Sequence, residues 1–88
     1  MKLITAIIRD RDTDPVSRAL TSLDFRVTHI ASTGGFLRRG NSTLFIGTDD
    51  DKVEQALEII RANLEPADDP DQKRATIFVI NVNQFIHF

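Results

Sequence analysis

The chain has 88 residues, room for one domain (1–88) around one core. It has no cysteine, which excludes disulfides, zinc–thiolate sites and thiol catalysis. Its net charge of −2, from 11 basic and 13 acidic side chains, lacks the positive excess of a protein that lives on nucleic-acid phosphate.

The first apolar run, LITAII over residues 3–8, is rich in β-branched residues and predicts a strand. It is far below the ~20 residues that span a bilayer and has no signal-peptide cleavage site, so a cytoplasmic domain with no membrane insertion is expected. After the charged break RDRDTD, Asp14-Pro15 reads as a helix start, because Asp caps free N–H groups and proline suits the first helical position. Val16, Ala19, Leu20 and Leu23 then fall on one helical face. Residues 25–32, FRVTHIAS, alternate as a second strand, with Phe25, Val27 and His29 on one side and Arg26, Thr28 and Ile30 on the other. TGGFLRRGN, residues 33–41, is a turn-rich loop, and STLFIG, 42–47, is a third strand. Asp49, Asp50 and Asp51 stand where negative charge favours a helix N-terminus, and Val53, Ala56, Leu57, Ile60 and Leu64 follow at helical spacing. EPADDPDQKR, 65–74, predicts an exposed connector, ATIFVINV, 75–82, a fourth strand, and the chain ends NQFIHF.

Strand–helix–strand–strand–helix–strand is the ferredoxin-like order, an α+β fold with a four-stranded antiparallel sheet and both helices on one face. The other face should then be polar in a monomer. The strands are apolar on both sides instead: Leu3 and Ile7 stand against Ile4, Ala6 and Ile8, Phe45 against Leu44 and Ile46, and Phe78, Ile80 and Val82 against Ile77 and Val79, so several large apolar side chains face away from the helices. An apolar patch of this kind is unusual on a monomer, so an oligomer that covers it is expected.

The loop at 33–41 carries the functional signal. Adjacent Gly34 and Gly35 let a ligand approach the backbone, and their N–H groups can face an anion. Phe36 offers a ring to a base, Asn41 a paired donor and acceptor to an adenine edge, and Arg38 and Arg39 add positive charge. The plainer reading is a long hairpin loop whose glycines supply positive φ and whose Phe36 packs inward. No Gly-Lys-Ser/Thr follows, so this is not a Walker loop.

The run FRVTHIASTGGFLRRGNSTLFIG, with MKLITAIIRDRD before it and ATIFVINVNQFIHF at the end, resembles the cyclic-di-AMP receptors related to the PII signal-transduction proteins. The likeness covers nearly the whole chain except the connector. It implies a PII-like homotrimer with nucleotide sites at its subunit boundaries and no chemistry done on the ligand. It assigns ligand contacts to Arg26 and Thr28 on the second strand, Gly35, Phe36 and Leu37 in the loop, Asn41, Gly47, and Phe78 from the neighbouring subunit. Asp24 stands where the family commonly has Asn, and His87 where it tends to have Gln, so both are candidate contacts. The connector, about ten residues long, replaces a long loop of the relatives.

Other residues read more plainly. His29 alternates with apolar neighbours and is expected to be packed or half-buried, and no third ligand joins it and His87 in a metal site. Asp10 and Asp12, interleaved with Arg9 and Arg11, read as a solvated turn. Phe85 and Phe88 are expected to pack at a subunit boundary. The leading function is a non-enzymatic cyclic-di-AMP receptor, with no cofactor and with itself, the nucleotide and a downstream protein as partners. The alternative is a PII-like sensor of ATP, ADP or another adenine nucleotide. An acyl-phosphate hydrolase is disfavoured, because no glycine-bearing anion cradle follows the first strand and no nucleophile–base pair can be placed. A single-strand RNA reader would need paired aromatics that STLFIG lacks.

Overall fold

The computed structural model describes residues 1–30 and 40–88. Its elements are β1 (Lys2–Arg9), α1 (Asp10–Ser22), β2 (Arg26–Ile30), β3 (Asn41–Thr48), a 3-10 turn (Asp50–Lys52), α2 (Val53–Ala62) and β4 (Ala75–Asn81). The strands form one antiparallel sheet in the order β2-β3-β1-β4. This is the ferredoxin-like arrangement the element order predicts.

The register divides the sheet into two faces. Ile4, Ala6 and Ile8 of β1 and Leu44 and Ile46 of β3 join Val16 and Leu20 of α1 and Ala56 and Ile60 of α2 in one buried core. On the opposite face lie Arg26, Gly47, Leu3 and Ile80 in one cross-strand row, and Thr28, Phe45, Thr5 and Phe78 in the next. Among the described residues no helix covers this second face. At the β4 edge Phe78 is 53% exposed and Ile80 49%.

Three local expectations are corrected. Helix α1 begins at Asp10, four residues before the Asp14-Pro15 start. The added turn carries Asp12 into the stripe Asp12, Val16, Leu20, which is fully buried. Pro15 sits inside the helix on its exposed side, where water can solvate the carbonyl that its missing N–H leaves unpaired. Leu23 lies past the helix end and is 53% exposed, while Phe25, two residues on, enters the core. His29 pairs with Leu44 on the helix side of the sheet, but β2 is an edge strand and the ring is exposed.

Residues 9–12 are also not a solvated turn. Arg9 Nε donates to Asp12 Oδ2 at 2.9 Å and Arg9 Nη2 lies 2.8 Å from the same oxygen, with the Asp12 side chain wholly buried. The other Asp12 oxygen accepts the Glu65 N–H at 3.1 Å, and Arg9 donates to the Glu65 and Pro66 carbonyls. The first two residues of the connector are therefore tied to the β1–α1 junction. Beyond them the connector is exposed, with Arg11 paired to Asp68 at 2.8 Å. The hydrogen bond from Arg11, and then its charge, hold the Asp68 carboxyl below the usual carboxylate range. Asp68 therefore favours the fold above the unfolded carboxyl's range and loses that contribution as pH falls through its lowered value. The pair is solvent-exposed, so the effect is small.

Candidate functional site

The uncovered sheet face holds a hollow of about 600 Å³ lined by Met1, Leu3, Arg26, Thr28, Phe45, Gly47, Val82 and Phe85. The register builds it. Arg26 pairs with Gly47 and Thr28 with Phe45, so all four side-chain positions fall on one face at neighbouring rungs. The chain end closes the other side, because the Val82 N–H bonds the Met1 carbonyl at 3.0 Å and sets Val82 and Phe85 beside β1.

The lining suits a flat heteroaromatic group bearing an anion. Phe45 and Phe85 supply rings, Leu3 and Val82 an apolar wall, Arg26 a charge and Thr28 a hydroxyl. Gly47 keeps the floor open. A Cβ at this position would come within 2.9 Å of the Met1 methyl, so any side chain would push Met1 aside and fill the hollow.

A second hollow, about 290 Å³, adjoins the first across Arg26 and Gly47 and is lined also by Asp24, Lys52 and Gln55. Asp24 holds a left-handed backbone, φ 68°, at the turn that leads from α1 into β2. Asn and Asp tolerate this conformation better than other side chains, and Asp24 N–H closes the turn on the Thr21 carbonyl at 3.0 Å.

Of the ten sequence-derived contacts, Arg26, Thr28 and Gly47 meet in the larger hollow, and Asp24 stands next to them. Gly35, Phe36 and Leu37 lie outside the described residues. Asn41 does not join the group: it lies six residues from Gly47 along β3, ~20 Å at the rise of a strand. It lines a separate hollow with Lys73, Arg74 and Thr76. Phe78 shares the face but sits on the far edge strand, exposed. His87 does not line the hollow; its ring lies 6.2 Å from that of Phe85, which does. Phe88 is fully exposed.

Sequence reasoning missed Phe45 and Leu3 as lining residues, although their strand parity already put them on the face of Arg26 and Thr28. Val82 shares that parity signal with Phe78 and Ile80, whereas Phe85 carries none, because only the tertiary path of the chain end brings it there.

Comparison with known proteins agrees with the fold. The crystal structure of a functionally unknown protein from Pediococcus pentosaceus is similar, with 35% sequence identity and a TM-score of 0.78 over 99% of this chain and 96% of that one. The family model described as "Cyclic-di-AMP receptor" matches residues 1–70, which holds β1 through α2 and every described polar group of the larger hollow. This chain belongs to the cyclic-di-AMP receptor family.

Proposed function

We propose that the protein is a non-enzymatic receptor that binds cyclic-di-AMP at the subunit boundaries of a homotrimer and passes the bound state to a downstream protein. The observation that carries the reading is the convergence of Arg26, Thr28 and Gly47 with the rings of Phe45 and Phe85 on a sheet face that no helix of the described residues covers. A base lies against the rings, a phosphodiester meets Arg26, and the glycine leaves space for both.

Two features support a site shared between copies. The hollow lies on the apolar face that an oligomer would cover, beside Ile80 and Phe78. Asn41, at ~20 Å from Gly47 along the strand, is beyond the reach of one base or phosphate held at Arg26. In a trimer Asn41 and Phe78 meet the ligand of a neighbouring copy. Binding acts by population shift: the ligand favours whichever conformation it binds better, and by no more than that difference.

Calorimetric titration tests the reading, with cyclic-di-AMP against ATP. Saturation near one cyclic-di-AMP per chain is expected, with Arg26→Ala weakening it roughly ten- to a hundredfold, the worth of a charge-assisted contact. Saturation by ATP alone would replace the ligand, and equal binding by Arg26→Ala would move the site.

A further inference from the structure

The third hollow, about 310 Å³, is lined by Ile7, Asn41, Lys73, Arg74, Ala75 and Thr76. It lies on the same uncovered face as the Arg26 hollow but at the opposite end of the strands. Asn41 opens β3, Thr76 is the second residue of β4, and β1 runs between them, with Arg9 opposite Asn41 and Ile7 opposite Thr76. The connector delivers Lys73 and Arg74 into the same space as it enters β4.

The charge of this hollow is of one sign. Among the described residues no carboxylate lines it, although Arg74 also borders the helix-side hollow that holds Glu54 and Glu58. Among the described residues, neither Lys73 nor Arg74 forms a salt bridge or a side-chain hydrogen bond, although the connector is rich in acids. Asp68 pairs with Arg11, and Asp69 accepts the Asp71 N–H at 3.0 Å. Two adjacent cations with an amide and a hydroxyl beside them form a donor set for a group rich in acceptor oxygens.

We propose that this hollow is a phosphate site, with Lys73 and Arg74 as its charge contacts, and that the phosphate it takes belongs to the nucleotide. The inference rests on the nucleotide reading and extends it to the connector. The connector then contributes directly to the ligand, and its contacts travel with Asn41 to the site of a neighbouring copy.

The test uses the full chain and the double variant Lys73→Ala, Arg74→Ala, titrated with cyclic-di-AMP, adenosine and inorganic phosphate at two salt concentrations. Both side chains are at the solvent-facing connector end, and a circular-dichroism melt checks that the variant folds. The variant is expected to bind cyclic-di-AMP about ten- to a hundredfold more weakly and to lose part of the salt dependence. Lys73→Arg with Arg74→Lys is expected to keep most of the affinity. Adenosine, without phosphate, should not distinguish parent from variant. Unchanged cyclic-di-AMP affinity in a folded double variant overturns this inference and leaves the receptor reading standing. No binding of cyclic-di-AMP to the parent overturns both. Inorganic phosphate that binds through Lys73 and Arg74 and is not displaced by cyclic-di-AMP assigns the hollow to a free anion and overturns the nucleotide as its source.

Discussion

Arg9 and Asp12 form the most consequential pair in the chain, because both are buried and each satisfies the other. Asp12→Asn leaves a buried guanidinium without its counter-charge, and a loss of about 3–5 kcal/mol is expected in urea unfolding. In a domain whose total stability is on the order of 5–15 kcal/mol, that loss is readily measured. Replacing both partners by apolar residues, Arg9→Met with Asp12→Leu, should cost less than the two single changes together. At Asp24 a different balance holds. Its left-handed backbone suits Asn as well as Asp, so Asp24→Asn should leave stability within ~0.5 kcal/mol. The same change removes a negative charge from the hollow beside Arg26. Cyclic-di-AMP affinity is therefore expected to rise by up to about fivefold, the worth of one nearby charge in water, and titration of the variant would show it.

At the scale of the elements, β4 is the strand with most to hide. Its one neighbour is β1, and Phe78, Val79 and Ile80 are all largely exposed. Ile80→Lys places a charge on this face without touching the helix-side core. Sedimentation is expected to show the parent at three times the 9.9 kDa chain mass and the variant at one. A parent that sediments as a monomer would remove the trimer and the shared site with it.

Strand positions were legible in the sequence because side chains alternate with period two, and that alone separated Leu3, Phe45 and Phe78 from Ile4, Leu44 and Ile46. The start of α1 was not. A buried Arg–Asp pair and a solvated charged turn have the same composition, and only the carbonyls of Glu65 and Pro66, more than fifty residues away, tell them apart. The site was half legible. Arg26, Thr28 and Gly47 fall together because strand pairing brings them together. Asn41 was grouped with them by likeness, although counting rungs along β3 already separates it.

At the scale of the molecule, the clamp at Glu65 and Pro66 determines where the chain can vary in length. The connector leaves from carbonyls held by Arg9 and arrives at Ala75, paired with Ile8 in the sheet. Both ends are fixed by β1, so the stretch between them is a closed loop whose cost depends only on its contour. That cost grows with the logarithm of length, about 0.6 kcal/mol for each doubling. An insertion of about eight Gly and Ser residues after Asp69 should shift stability by roughly that amount. The same insertion before Glu65 would disturb the hydrogen bonds that tie the connector to Arg9 and Asp12 while leaving that pair in place, and a loss of about 1–3 kcal/mol is expected in urea unfolding. A long loop and a short one are thus near neighbours in free energy on this scaffold. The length of this segment can therefore change without disturbing the sheet.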